Sequence, residues 1–385
     1  MRILIFSWRD IKHPKAGGAE QVMNEHAKGW VKAGHGVTHF SAKMDGLLSS
    51  ETIDGIKFVR AGHQYLGVII AGFFYYLRNR NRIDLIVDEF HGVPFFTPIY
   101  SRKPKIIVIQ EVARKVWFLN PLPWPLNWII GFVGYLGEPF VFLFYKNTQF
   151  MTGSESAKKD ISKFGIQPKN ITVVPHGVIT PRLQAFGSEA QARRVTGNRL
   201  QLRNKKTITY LGVLSRDKGI EDAIKCFKIL NQSGEYNFWV IGKPETESYR
   251  RKIKQMVSDL KLEDKIKFFG FVSQQQKFKL LSKAHLLVNP SVREGWGLVN
   301  IEANSVGIPV VAYRSPGLID SVKDGVSGII CSENSPENLA KNVWMILGKG
   351  DLYEKLSRGA VSWSKNFNWK KSRKLSLNLI NSLNK

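Results

Sequence analysis

Residues 284–310 read AHLLVNPSVREGWGLVNIEANSVGIPV, a stretch that contains the three parts of one α/β repeat. The apolar run at 284–288 predicts a buried parallel strand, and Gly295 and Gly297 loosen the chain beyond it. In residues 298–305 the apolar side chains recur at helical spacing, which predicts a helix. A strand, a loop and a helix in this order form the building unit of a doubly wound α/β sheet.

Two carboxylates accompany this repeat. Glu294 lies in the loop, and Glu302 lies about two turns into the helix at ~3.6 residues per turn. The unpaired N–H groups at the first turn of a helix form an anion site together with the helix dipole. The pair therefore fits a polyhydroxylated ligand that carries phosphate, such as a nucleotide sugar. A lone pair of this kind is more often a helix-start carboxylate and a solvated surface residue, so other sites along the chain must decide.

The length and composition of the chain limit the classes of protein to which it can belong. The chain of 385 residues is longer than one core usually supports, so two domains are expected. Its 57 Lys and Arg against 31 Asp and Glu favour anionic partners: nucleotides, phospholipid surfaces or nucleic acid. A nucleic-acid binder would rest on this charge alone, because the sequence has no helix-turn-helix, zinc or aromatic-sheet signature. The cysteines Cys226 and Cys331 show no disulfide or metal-ligand spacing, which indicates a reducing interior.

Apolar runs that alternate with helical segments predict two parallel sheets. The expected strands are 2–6, 37–41, 56–60, 85–87, 106–109, 149–154 and 171–174 in the first sheet, and 207–211, 238–241, 266–271, 284–288 and 310–311 in the second. The predicted domains are residues 1–178 and 207–362. Residues 179–206 form a basic connection with seven basic and one acidic side chain, and the tail 363–385 is predicted as a basic helix.

Several predicted strands end in glycine and a polar loop. Gly17-Gly18 follows the first strand, the loop from Gly212 to Gly219 opens the second sheet, and Gly242 ends its next strand. Because the carboxyl ends of parallel strands lie at one edge of a sheet, such loops can build one site. For Gly17-Gly18 taken alone, a tight turn that needs glycine is an equally good explanation.

Two segments of the first domain are unusually apolar. Residues 64–82 form a predicted helix that ends in Arg78, Arg80 and Arg82, and residues 116–137 carry no formal charge over 22 residues. The second segment is long enough to span a membrane, but its prolines and glycines argue against spanning. We expect it to lie in a membrane interface with its aromatic residues as anchors, and packing inside the domain is the alternative.

Taken in order, these motifs resemble family-4 glycosyltransferases of the GT-B fold over nearly the whole chain. The residues that carry the resemblance are Gly17-Gly18-Ala19-Glu20, Pro175-His176-Gly177-Val178, Gly212 with Lys218-Gly219, Ile241-Gly242, Phe269-Gly270-Phe271-Val272, and Glu294 with Glu302, which match the family's pattern of Glu, seven residues, Glu. The resemblance implies an α/β fold with two facing Rossmann-like doubly wound domains. The first would bind the acceptor and the second the nucleotide sugar, and the C-terminal helix would cross back to the first.

The resemblance also assigns roles. Glu294 would face the sugar near the reacting carbon and Lys218 would neutralise the leaving diphosphate, so both are expected catalytic residues. Glu302 would bind the ribose hydroxyls. The further expected donor-binding residues are Gly17, Gly18, Arg216, Gly242, Phe271, Val272 and the backbone at Gly295, Trp296, Gly297 and Leu298. The sequence contains no Asp-x-Asp, so we expect neither a metal nor a cofactor beside the UDP- or GDP-sugar donor.

Two departures from the family concern the phosphate and acceptor sides. Val213 stands where relatives commonly have a phosphate-binding arginine, and Arg216 is either its replacement or a solvated surface group. Gln110-Glu111 stands where many relatives have a histidine, and His91 is the nearest alternative. His91, Gln110 and Glu111 are therefore the expected acceptor-side residues.

We expect a retaining, metal-independent hexosyltransferase that works on a lipid-linked or surface-glycan acceptor. It would be cytoplasmic and peripheral on an anionic membrane, without a nucleic-acid partner. Two alternatives stay open at this point: transfer to a soluble small molecule, and a non-catalytic subunit that binds a sugar nucleotide.

Overall fold

The computed structural model describes residues 1–90, 93–178, 205–232 and 234–383. The chain divides into two compact units. Unit 1 contains Met1–Phe118, Trp124–Gly177 and Trp369–Lys385, and unit 2 contains Leu119–Pro123 and Val178–Asn368. Apart from its last two residues, the predicted connection at 179–206 lies outside the described residues, and so does His91.

Unit 1 is built on an eight-stranded sheet. Its strands are β1 (Arg2–Phe6), β2 (Gly36–Ser41), β3 (Ser50–Ile53), β4 (Ile56–Arg60), β5 (Leu85–Glu89), β6 (Lys105–Val108), β7 (Gln149–Thr152) and β8 (Ile171–Val173). Their order is β3-β4-β2-β1-β5-β6-β7-β8, and every pair is parallel except β3 with β4. Seven strands match the prediction, because buried parallel strands appear in a sequence as short apolar runs. The edge strand β3 was missed because its residues are polar and largely exposed.

The helices that accompany this sheet in the first part of the chain are α1 (Gly18–Lys32), α2 (Leu66–Asn79), α3 (Thr97–Tyr100), α4 (Leu126–Leu143) and α5 (Glu155–Ser162). Short 3-10 helices occur at Arg80–Arg82, Arg114–Leu119 and Pro168–Asn170. α1 buries Val22, Met23, Ala27 and Trp30 against the sheet, at the helical spacing that predicted it.

Unit 2 has a six-stranded parallel sheet. Its strands are β9 (Lys206–Leu211), β10 (Tyr236–Ile241), β11 (Ile266–Gly270), β12 (Leu286–Asn289), β13 (Val310–Ala312) and β14 (Gly328–Ile330). Their order, β11-β10-β9-β12-β13-β14, reverses direction beside β9 and is that of a doubly wound sheet. The helices are α6 (Ile220–Asn231), α7 (Glu247–Asp259), α8 (Gln274–Leu281), α9 (Leu298–Ser305), α10 (Leu318–Ser321), α11 (Pro336–Gly348) and α12 (Gly350–Ser364). The predicted helix at 298–305 is confirmed, whereas β14, which is only three residues long, was not predicted.

The C-terminal helix α13 (Trp369–Ser382) belongs to unit 1. Trp30 Nε1 donates to Ser376 Oγ at 3.2 Å, and Arg373 pairs with Glu25 of α1. The predicted start of the tail at 363 is wrong, because α12 continues to Ser364 inside unit 2. Trp363 is held there by its indole, which donates to Ser321 O at 2.8 Å.

α4 is exposed along most of its length. Only Gly131, Glu138 and Phe142 are buried, although the helix is 18 residues long and has a mean hydropathy of 1.4. Among the described residues it is the one helix long and apolar enough to cross a membrane by length and composition. The alternative that this segment packs inside the domain is therefore wrong for α4.

Candidate active site

Two neighbouring loops meet at the carboxyl edge of the unit 2 sheet, one after β9 and one after β12. Val292 N donates to Asp217 O at 2.8 Å, which joins the loops by their backbones. Gly219 has a φ of +70°, and a Cβ there would overlap Pro290 O. Only glycine combines this conformation with so close an approach, which explains the Lys218-Gly219 motif.

The two loops bring Lys218 and Glu294 together. Lys218 Nζ lies 3.1 Å from Glu294 Oε1 and 3.5 Å from Asp217 Oδ2, and it donates to Arg293 O at 3.4 Å. Ser291 Oγ donates to the same Glu294 oxygen at 3.0 Å. The lysine and glutamate side chains are 22% and 21% exposed, so a ligand can reach both. The structure thus places the two predicted catalytic residues in one accessible cluster.

A third loop, after β13, contacts the backbone of Glu294. Glu294 N donates to Pro316 O at 3.1 Å. Gly317 has a φ of +78°, and a Cβ there would overlap the Glu294 carbonyl. Nothing in the sequence near Gly317 indicates this contact, because Glu294 lies 23 residues earlier in the chain.

The start of α9 is fixed by buried amides and hydroxyls that sequence reasoning missed. Gly297 precedes the helix with a φ of +83°. Asn289 Nδ2 donates to Asn300 Oδ1 at 2.8 Å, Asn300 Nδ2 donates to Ser321 Oγ at 2.9 Å, and Ser321 Oγ donates to Gly317 O at 2.9 Å. Satisfied networks of this kind hold a buried polar site rigid. The sequence feature that could have indicated this network is Asn289, a polar residue at the end of an apolar strand.

The predicted donor-binding run at 295–298 contributes backbone more than side chains. Gly295 and Gly297 are buried, and Leu298 begins α9. The Trp296 side chain is only 5% exposed and packs edge-on against the Phe367 ring at 4.9 Å. Trp296 is therefore a core residue whose side chain anchors the loop, and only its backbone remains for the predicted role.

Glu302 has a partner that the sequence did not reveal. It is 7% exposed on α9, and its Oε1 accepts a short hydrogen bond from Lys277 Nζ on α8. α8 follows β11 and α9 follows β12, so this ion pair joins two helices at the same sheet edge. A buried carboxylate needs such a partner to stay charged.

The loops after β9, β10 and β11 complete this edge. Gly242 has a φ of +144°, and a Cβ there would overlap Gly212 O, while Leu214 N donates to Lys243 O at 3.0 Å. Phe271 is 77% exposed with Lys243 Nζ 5.5 Å from its ring centre, and Val272 is half-buried beside it. Arg216 lies exposed on the same loop as Lys218.

The predicted residues of unit 1 also lie at a carboxyl sheet edge. Gly18 begins α1, and Gly17 N donates to Glu20 Oε2 at 2.7 Å. Gln110, after β6, has its Oε1 2.7 Å from His176 Nε2, and the half-buried Glu111 follows it. Burial lowers the pKa of His176 to about 3, so this ring is neutral near pH 7.

In the part of the chain that the structure describes, no three His, Cys, Asp or Glu side chains lie close enough together to bind a metal ion. Positive groups at the unit 2 edge include Lys218, Lys277 and the first turn of α9. These can neutralise a phosphate group directly.

Two family models match the chain: Glycosyltransferase Family 4 at residues 16–182 and glycosyl transferases group 1 at residues 197–363. A D-inositol 3-phosphate glycosyltransferase of Acidothermus cellulolyticus is 27% identical over 220 residues, which cover 55% of this chain and 48% of the relative. The chain thus spans about half the length of these curated relatives.

Solved structures extend the likeness to the fold of the whole chain. Sucrose-phosphate synthase from Thermosynechococcus elongatus has a TM-score of 0.78 at 19% identity and covers 99% of this chain and 98% of its own. Anabaena HepE in complex with UDP-glucose has a TM-score of 0.73 at 17% identity, with 99% and 100% covered. Together with the two family models, this assigns the chain to the glycosyltransferases of group 1 and family 4, enzymes of the GT-B fold.

Proposed function

We propose that this glycosyltransferase moves a hexose from a UDP- or GDP-sugar to a lipid-linked or surface-glycan acceptor, with retention of configuration and without a metal ion. The observation that carries the donor side is the pairing of Lys218 with Glu294, beside that of Lys277 with Glu302, at one sheet edge. Two buried or half-buried carboxylates, each with its own lysine, suit a ligand that presents hydroxyls and phosphates together.

The chemistry follows from these positions. The bond from the sugar's anomeric carbon to the diphosphate breaks while a bond to the acceptor oxygen forms on the same face, and the acceptor's proton passes to the leaving diphosphate. Lys218 and the N–H groups at the start of α9 stabilise the charge that develops on the diphosphate. Glu294 orients the sugar hydroxyls, and Glu302, fixed by Lys277, accepts from the ribose hydroxyls.

The exposed apolar surface of unit 1 supports an acceptor at a membrane. We define this surface as the outward residues of α2 and α4, among which Leu66 is 72% exposed and Phe140 65% exposed. The cations Arg78, Arg80 and Arg82 at the end of α2 are exposed as well and suit anionic lipid headgroups. The enzyme would accordingly be peripheral on the cytoplasmic face of the membrane.

A donor screen followed by a transfer assay tests the proposal. Thermal unfolding is measured with UDP, GDP and their sugars, because a ligand that binds the native state raises the unfolding temperature. The best donor is then incubated with a lipid extract, with and without a chelator. Stabilisation by one nucleotide series and chelator-resistant transfer into the lipid fraction are expected. Absence of stabilisation by any nucleotide would reject the donor site, and loss of activity with chelator would reject metal independence.

A soluble acceptor is the second candidate, because the names of two relatives, D-inositol 3-phosphate glycosyltransferase and sucrose-phosphate synthase, point to small-molecule acceptors. Supplying inositol phosphates and sugar phosphates in place of the lipid extract separates the two. A non-catalytic subunit would bind the donor without turnover on any acceptor, and Glu294→Ala would then change nothing in the transfer assay.

A further inference from the structure

The apolar helix α4 contains one charged side chain, Glu138. It is only 5% exposed, and it faces the protein while most of the helix faces outward. Its carboxylate accepts two backbone hydrogen bonds, from Ala113 N at 2.6 Å and from Arg114 N at 2.9 Å. A carboxylate that accepts two amide protons at these distances is a strong, directional connection. Glu138 therefore ties α4 to the segment around residue 113.

That segment is the continuation of β6 at the carboxyl edge of the unit 1 sheet. It begins with Gln110 and Glu111, the acceptor-side residues, and Gln110 contacts His176 at 2.7 Å. Val112 is buried, and Arg114 has a φ of +48° that few non-glycine residues adopt. Residues 110–114 are thus held at one end by the sheet and at the other end by Glu138.

The rest of the contact between α4 and unit 1 has two parts. Phe142 packs in the core against Phe90, Phe150 and Phe164, and the earlier turns of the helix pack closely at two glycines. A Cβ at Gly131 would overlap Phe118, and a Cβ at Gly134 would overlap Trp117. Trp117 and Phe118 belong to the 3-10 helix that directly follows residue 113. Glu138 and these two aromatic residues thus connect α4 to the segment that carries Gln110 and Glu111.

The occupant that fits the outer surface of α4 is a lipid bilayer. Exposed apolar residues cover the outward side of the helix, with Trp128 at 60%, Val133 at 63% and Phe140 at 65% exposed. A wide apolar face with aromatic residues, beside exposed arginines, is what an interfacial helix presents to an anionic bilayer. Aromatic contacts continue this surface toward α2, through Phe96 with Phe144 at 6.0 Å and Tyr100 with Phe73 at 5.1 Å. Arg78, Arg80 and Arg82 lie exposed at the end of α2.

We propose that Glu138 is a positioning residue that couples insertion of α4 into an anionic bilayer to the conformation of the acceptor-side segment 110–114. Insertion fixes α4, the two amide hydrogen bonds fix residues 113 and 114, and the conformation of Gln110 and Glu111 is thereby stabilised further at the membrane surface. This inference rests on the proposed membrane acceptor and adds an activation step to it.

The test follows hydrogen–deuterium exchange of peptides that cover residues 110–116, with and without vesicles of phosphatidylglycerol and phosphatidylcholine. In the wild-type chain we expect vesicles to slow this exchange several-fold. Glu138→Gln keeps the size of the side chain but can accept only through one oxygen, so the protein should still float with vesicles while the slowing is lost. Glu155→Gln, at an exposed site on α5, is the matched control and should behave as the wild type.

A second variant separates coupling from misfolding. Phe140→Ser changes an exposed residue on the lipid-facing side and leaves Glu138 in place. It should float less with vesicles, yet show the wild-type exchange of residues 110–116 in their absence. Wild-type protein that binds vesicles without slower exchange would overturn the coupling, and so would Glu138→Gln with undiminished slowing. Failure of the wild type to float would reject the membrane placement itself, while the donor screen reports on nucleotide-sugar binding independently.

Discussion

Lys218 Nζ lies 3.1 Å from Glu294 Oε1, although the two residues belong to loops that follow different strands of the unit 2 sheet. In the proposed reaction the lysine supplies the positive charge that a diphosphate leaving group needs, and the glutamate holds the lysine at the carboxyl edge of the sheet. Lys218→Met should lower the transfer rate by about 10²–10³-fold, the usual effect of removing one group that stabilises developing charge. Steady-state kinetics with the identified donor measures this loss.

Arg216→Met is the control for that experiment, because Arg216 lies exposed on the same loop. We expect a rate change of less than about threefold, as for most surface substitutions. A loss as large as that of Lys218→Met would instead show that Arg216 replaces the phosphate-binding arginine that relatives carry at the position of Val213.

Glu302→Gln should weaken nucleotide binding. A hydrogen bond to a charged group contributes about 1.5–3 kcal/mol, so the affinity for UDP or GDP should fall by roughly 10- to 150-fold. Lys277→Met should weaken binding in the same direction, because Glu302 is buried and loses its only side-chain partner in the described part of the chain. Calorimetric titration with each nucleotide measures both effects. Glu333→Gln, at an exposed site, should bind as the wild type, and unchanged affinity in Glu302→Gln would refute the ribose role.

Gly317 and Gly325 offer a matched pair for separating backbone strain from steric overlap. Both have positive φ values, +78° and +69°, but a Cβ at Gly317 would overlap the Glu294 carbonyl and a Cβ at Gly325 would meet nothing within 4 Å. Gly325→Ala should cost about 1–2 kcal/mol of unfolding free energy from the conformation alone. Gly317→Ala should cost more and also reduce transfer, because Glu294 must move. Urea unfolding measures the stability and steady-state kinetics measures the transfer rate. Equal losses of unfolding free energy in the two variants would mean that the Gly317 loop moves without cost to accommodate the Cβ.

The sequence predicts the sheets well because their central strands are buried on both faces and appear as apolar runs. It places Glu294, Lys218 and Gly297 on loops at the carboxyl edge of parallel strands, where such loops can build one site. The roles of Glu294 and Lys218 come from the resemblance to family-4 glycosyltransferases.

The partners of these residues could not be predicted in the same way. Lys277 contacts Glu302 only because α8 and α9 are neighbours in space. His176 contacts Gln110 because the segments that follow β8 and β6 lie close together. Glu138 resembles any single charge in an apolar segment until the structure shows its contacts with Ala113 and Arg114. Such pairings depend on side-chain direction and helix placement, which no local pattern encodes.

Acid should destabilise unit 1 through two buried histidines. Burial lowers the pKa of both His26 and His176 from 6.5 to about 3. The unfolded chain therefore takes up protons below pH 6.5 while the native unit does not, so stability is complete above pH 6.5 and falls as the pH decreases toward 3. Each histidine contributes a slope of at most about 1.4 kcal/mol per pH unit. His26→Leu should reduce the loss of stability between pH 7 and 5, measured by hydrogen exchange of α1 amides, whereas His63→Leu, at an exposed site, should leave it unchanged. Equal acid sensitivity in His26→Leu and the wild type would mean that other groups govern the acid response, because His26 has no polar partner among the described residues that could compensate its loss.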